Sequence, residues 1–270
     1  MCGRFSSSTQ PSLLGEQFHA DPVGVEGHQP SWNVTPASDI LVIVASADGA
    51  RQLRKLRWGL VPKWAKDASG GARMINLRAE TVREKKSWKS GLARRRCIIP
   101  IDGFYEWQDM GKGNKKQPIY VTAREPEALA LAGLWDTWHH PAAAGDEQAA
   151  AGKEAAGGGK ATGGKASGGE QAGPSPDGDL RTCTILTTTP NRLLASVHHR
   201  MPVILPPETW DAWLDSANTD TEALAALLVP ARDDLLVCWP VDPAVGNPRN
   251  NHPDLRRPLE GHEPRTIDGA

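Results

Sequence analysis

The sequence predicts an α+β fold, one domain around a curved, mostly antiparallel β-sheet or barrel with a few peripheral helices. Two observations lead there. Many short apolar runs have the length of strands, whereas helix candidates are fewer and scattered. The regular strand–helix alternation of a doubly wound parallel sheet is missing, and so is any Gly-rich phosphate loop.

In chain order, residues 11–18 read as a helix, with Pro11 tolerated in the first turn. Residues 40–45 and 53–58 are apolar runs of strand length. Residues 79–88 read as a second helix, followed by strands at 96–101, 118–123 and 129–135. Beyond these come a strand at 182–188, a helix at 191–197 and a strand at 202–205. Helices at 207–214 and 221–228 and a strand at 235–241 complete the pattern.

Residues 141–179 consist almost entirely of Ala, Gly, Lys, Glu, Gln, Ser and Pro, with no aromatic residue and no aliphatic one larger than Ala. Such a segment cannot bury enough surface to offset chain entropy and is expected to be a disordered insertion. It interrupts a domain spanning 1–252. Residues 253–270 are polar and Pro-containing, and are expected to form a flexible tail.

Composition narrows the function. Net charge is −1, so the molecule is no polycation, although a local basic groove is compatible with that balance. Cys2, Cys97, Cys183 and Cys238 form no CxxC pair, which argues against a zinc site or a disulfide framework; no metal or cofactor is expected. No signal peptide is visible, and no stretch approaches the roughly 18 apolar residues that span a bilayer. The expected setting is a reducing cytoplasm, with no membrane partner.

The chain starts Met1-Cys2-Gly3-Arg4. Cys2 is small, so removal of Met1 is expected. The product carries an α-amine with a pKa of about 7.7–8.0 and a thiol of about 8.5 on one residue. The amine attacks aldehydes to give an imine, and the thiol then closes a five-membered thiazolidine. The same end serves equally as an N-terminal acyl-transfer nucleophile. Taken alone, Cys2 is most simply a small residue after the initiator.

Other residues add chemistry. Glu106 lies between Tyr105 and Trp107, so strand alternation puts it on the opposite face from both rings. A carboxyl group in apolar surroundings has a raised pKa that suits proton transfer; a solvent-facing Glu on an edge strand is the plainer reading. His198 and His199 precede Arg200, and a histidine there is either a general acid or a hydrogen-bonded structural group. Asn76 and Arg78 stand two apart and share a face in an extended segment, as suits an oxyanion or a phosphate. Arg4, Arg78 and Arg200 each neighbour a candidate reactive residue. Trp58 and Trp64 flank a Pro-containing loop with lysines; Trp58 reads as core, Trp64 as a loop anchor or a base-stacking ring. Arg94, Arg95 and Arg96 read as the solvated end of a helix-to-strand connection.

Together these strings resemble the SRAP (SOS response-associated peptidase) family of abasic-site processing proteins. The resemblance rests on CGRF at 2–5, NVTP at 33–36, RWGLVPKW at 57–64, INLRAET at 75–81, DGFYEW at 102–107, HHRMPVIL at 198–205 and VGNPRNN at 245–251. It implies that Cys2, freed of Met1, bonds covalently to the ring-opened aldehyde of an abasic site in single-stranded DNA. It further implies Asn76 to steady the reacting group, Glu106 as acid/base, and His198 to assist imine formation and ring opening. Arg4, Arg78 and Arg200 would hold phosphates, with Trp64 and Thr187 lining the DNA groove. Self-processing peptidase and abasic-site lyase activities, and a monomeric state, belong to the same expectation. Leu77 departs from the family's more frequent Ala, and His199 from its usual Asp. Two alternatives stand beside this reading: a glutamine amidotransferase of the N-terminal-nucleophile class, and a non-covalent single-strand binder in which Cys2 is incidental.

Overall fold

The computed structural model describes residues 2–139 and 179–267. The expected insertion at 141–179 therefore lies outside the described residues, except for Asp179. The chain begins with β1 (Phe5–Ser7), α1 (Pro11–Phe18), β2 (Asp21–Pro22), β3 (Ser31–Val34), β4 (Asp39–Ala45) and β5 (Arg51–Trp58). It continues through β6 (Asn76–Arg78), α2 (Ala79–Val82), α3 (Lys86–Arg94), β7 (Arg96–Ile101), β8 (Gly103–Gln108), β9 (Gln117–Ala123) and β10 (Leu129–His139). After the break follow β11 (Asp179–Thr188), α4 (Arg192–Ala195), β12 (Met201–Pro202), α5 (Trp210–Leu214), α6 (Thr221–Ala226) and β13 (Leu236–Pro240).

Two sheets result. One is a five-stranded antiparallel sheet in the order β13-β9-β8-β1-β3. In the other, β11-β10-β7-β4-β5 pair antiparallel in succession, and a parallel pairing of Thr182 with Arg57 and Cys183 with Trp58 closes them into a barrel. β6 is attached to this barrel alongside β11, in parallel.

The apolar runs have a physical reason. β4 is buried along almost its whole length because both of its faces are covered. Ile40, Val42 and Val44 point into the core that fills the barrel and continues beneath the second sheet. Leu41 and Ile43 point outward into a second core, where Leu14 and Phe18 of α1, Trp213 of α5 and Leu224 of α6 cover them. β7 divides in the same way, with Cys97, Ile99 and Ile101 inward and Ile98 outward. α1, α5 and α6 therefore form an outer layer on the barrel, whereas Leu193 and Leu194 of α4 pack into the inner core.

Two expectations need correction. The single helix expected at 79–88 is two, because Lys85 takes an extended conformation (φ −87°, ψ 122°) that ends one and starts the next. The stretch after residue 252 is no loose tail within the described residues. Leu255 is 1% exposed, Trp239 Nε1 donates to the Arg256 carbonyl at 2.8 Å, and Arg265 exchanges backbone hydrogen bonds with Cys238 at 3.0 and 2.8 Å.

Candidate active site

Cys2 is fully buried, in the core shared by the barrel and the second sheet, beside residues such as Phe5, Phe104 and Val197. Burial pushes its thiol well above the usual range, and the Glu106 carboxylate adds to the effect. Asn76 reaches Cys2 from β6: its Nδ2 donates to the Cys2 carbonyl at 2.8 Å. Its own strand is fixed at the entry, where Trp58 Nε1 and the Ile185 N–H both donate to the Ile75 carbonyl, at 3.0 and 2.9 Å.

Glu106 sits on β8 and is 3% exposed. Phe104, two residues earlier, packs in the same core as Cys2, whereas Tyr105 and Trp107 pack in a separate cluster with Tyr120 and Trp239. Strand alternation thus turns Glu106 toward Cys2, and desolvation raises its pKa.

His198 follows α4, which Asn191 caps through a bond from the Leu194 N–H to its Oδ1 at 3.1 Å. Gln108 Nε2 donates to the Ser196 carbonyl at 2.9 Å, so this loop crosses the end of the strand that carries Glu106. The same Lys116 ammonium acts on Glu106 and on His198. His198 stacks on His199 with ring centroids 4.3 Å apart, and burial, followed by repulsion that includes His199, depresses its pKa to about 4.

The remaining candidates divide by exposure. Arg78 is exposed, and Trp64 is 77% exposed on the loop after β5. Trp58, by contrast, is fully buried and 4.9 Å from Phe5, as expected. Arg4 Nη1 donates to Asn33 Oδ1 at 2.7 Å and to the Val245 carbonyl at 2.8 Å, with its guanidinium over Trp107. Thr187 does not line an open groove: it is fully buried, with its hydroxyl donating to the Leu77 carbonyl at 3.2 Å. Arg200 is 8% exposed and its fork closes on Glu80. Arg96 is likewise no solvated residue; it is 4% exposed and donates to the carbonyls of Trp213 and Leu92 at 2.5 and 2.7 Å.

A family model, SOS response associated peptidase (SRAP), matches residues 1–248. The chain belongs to the SRAP family. YoqW of Bacillus subtilis, described as an abasic site processing protein, is 38% identical over 264 residues, covering 97% of this chain and 100% of the relative. HMCES of Gallus gallus, with the same description, is 30% identical over 307 residues and covers 99% of this chain and 80% of its own. The fold recurs in a crystal structure of a Bacteroides thetaiotaomicron protein at a TM-score of 0.73 and 21% identity, covering 96% of this chain and 100% of that one.

Within this SRAP chain some residues at the site had gone unassigned on sequence grounds. Asn33 gathers three carbonyls, those of Val245, Asn247 and Asn250, on its Nδ2 at 3.2, 3.1 and 2.7 Å while holding Arg4. The two SRAP strings NVTP and VGNPRNN are thereby one hydrogen-bonded knot. Glu80 stands two residues after Arg78 in INLRAET, and only that string marks it.

Proposed function

We propose that this chain processes abasic sites in single-stranded DNA, capturing them covalently as a thiazolidine on Cys2 once Met1 is gone. Two lines support the reading: relatives in its family are named for abasic-site processing, and Asn76 and Glu106 converge on a buried Cys2. The second of these carries it.

The chemistry follows from burial. Burial raises the pKa of Glu106, which favours its protonated form and suits it to donate a proton. The free α-amine adds to the C1′ aldehyde of the opened sugar and forms a carbinolamine. Glu106 gives its proton to the departing hydroxyl, water leaves, and an iminium remains. The Cys2 thiol then adds to the iminium carbon while the Glu106 carboxylate takes the sulfur's proton. One water is lost overall and Glu106 is restored. A thiol held protonated by its surroundings needs such an acceptor at the moment of attack. Asn76, already bonded to the Cys2 carbonyl, fixes the position of both nucleophiles.

The same carboxyl group supports the finer activities. Water adding to the Met1 carbonyl, with Glu106 shuttling the proton, would release Met1 and the α-amine. Elimination of the 3′ phosphate from the iminium would be the lyase side reaction. In this reading Trp64 stacks on a base and Arg78 meets a phosphate. Arg4 meets another phosphate. Thr187 and Arg200 support that surface from below. The protein acts as a monomer, in the cytoplasm, at DNA.

Intact-mass measurement with a short abasic single strand tests the proposal. The expected product is the sum of both masses less one water, absent with duplex DNA. Cys2→Ala should leave no heat-stable adduct; an undiminished one from that variant overturns the reading.

A further inference from the structure

Glu80 and Arg200 lie away from the reacting groups, yet they hold one of them. Arg200 Nη1 donates to Glu80 Oε1 at 2.7 Å and Nη2 to Glu80 Oε2 at 2.9 Å. Nη2 also donates to the Thr187 carbonyl at 2.5 Å. This two-pronged pairing fastens the loop after α4 to the start of α2 and to β11. At the backbone of the same residue, the Arg200 N–H donates to His198 Nδ1 at 3.0 Å. A peptide N–H only donates, so Nδ1 presents its lone pair and the neutral ring carries its proton on Nε2. The competing contact, from Nδ1 to the Arg200 carbonyl at 3.3 Å, is longer. It would need a proton on Nδ1, where the Arg200 N–H already points.

We propose that Glu80 and Arg200 are positioning residues that lock the 197–200 loop and hold His198 as its neutral Nε2–H tautomer, so that His198 serves as a hydrogen-bond donor to a sugar oxygen and not as an imidazolium acid. The donor's role rests on the function proposed above; the tautomer rests on geometry alone. His199 and Lys116 both oppose a positive charge on the ring, and the Arg200 carbonyl favours one; burial, the largest effect, together with these repulsions outweighs it. A fixed neutral donor stabilises an oxygen as charge develops on it and keeps its own proton throughout.

The test has two arms. Nitrogen-15 NMR of histidine-labelled protein without DNA reads the tautomer, and single-turnover adduct formation at saturating abasic oligonucleotide reads the consequence. The wild type should show Nε2–H from pH 5.5 to 8. Glu80→Gln, which offers one acceptor oxygen in place of two, should give mixed tautomers and a maximal rate lower by about tenfold. Arg200→Lys keeps the charge without the fork and should shift both readouts the same way. An Nδ1–H or doubly protonated ring in the wild type overturns the proposal. So does Glu80→Gln with tighter DNA binding but unchanged tautomer and maximal rate, since Glu80 would then only mask a phosphate-binding arginine. A wild type that forms no adduct while showing the expected tautomer fails the function reading and leaves the positioning geometry standing.

Discussion

At the scale of single residues, burial couples Cys2 to Glu106: each sits without solvent, and the carboxylate adds to the rise of the thiol's pKa. Because Glu106's folded pKa is raised, the folded state holds its proton more tightly than the unfolded chain, whose Glu pKa is about 4.3. Stability from this group is intact below that value and is lost as pH rises through the folded pKa. Glu106→Gln should therefore stabilise the protein by roughly 1–3 kcal/mol at pH 8 and by less at pH 4. Denaturant unfolding at the two pH values checks this, and an equal gain at both would contradict it. The same variant should slow adduct formation by about 10²–10⁴. Asn76→Ala removes the 2.8 Å bond to the Cys2 carbonyl. The expected cost is about 10–100-fold in single-turnover rate, with Cys2 still the linked residue.

At the scale of elements, the loop that carries Trp64 is pinned at its neck. Gly59 has φ +127°, and a Cβ there would stand 2.6 Å from the Gly71 carbonyl oxygen. Leu60 N–H donates to the Met74 carbonyl at 3.1 Å, and Trp138 Nε1 to the Ala65 carbonyl at 2.8 Å. Gly59→Ala should cost about 1–3 kcal/mol in stability. It should also weaken DNA binding in the direction of Trp64→Ala, for which the loss of one stacked base is worth about 1–3 kcal/mol. Equilibrium binding to an undamaged single strand checks the shared loss, and denaturant unfolding separates the two, because Trp64→Ala should leave the unfolding midpoint unchanged.

Elements of this kind also explain what the sequence makes legible. β4 and β7 are readable because covering both faces makes them continuous apolar runs of strand length. β6 is Asn-Leu-Arg, too short and polar for any periodicity, and exists only because β11 offers it a parallel edge. Cys2, Asn76, Glu106 and His198 are visible as residue types within distinctive strings, but the sequence does not say that they meet. Asn76 reaches Cys2 through the pairing of β6 with β11, and Gln108 draws the loop of His198 across the end of β8. Thr187 and Arg200 look like surface contacts in one dimension because burial of a short polar string leaves no local mark.

At the scale of the molecule, the segment after residue 252 holds the N-terminal strand in place at one remove. Asp102 accepts from the Ser8 and Thr9 N–H groups at 2.7 and 3.2 Å and from their hydroxyls at 2.6 and 2.7 Å, just past the strand that leads from Cys2. Arg256 Nη1 donates to the same carboxylate at 3.2 Å, and Leu255 seals the cluster of Tyr105 and Tyr120. Removing the chain beyond His252 strips both supports. Loss of one buried leucine side chain alone costs about 2–5 kcal/mol, or ~4–20 °C in Tm for a chain of this size. Truncation after His252 should therefore lower Tm by at least that order. Arg256→Ala, which leaves Leu255 buried, should cost far less stability yet still slow adduct formation, because it loosens the anchor of the strand that presents Cys2. Calorimetry and single-turnover kinetics on the two variants separate packing from positioning. An Arg256→Ala protein with wild-type kinetics would confine the segment's role to packing.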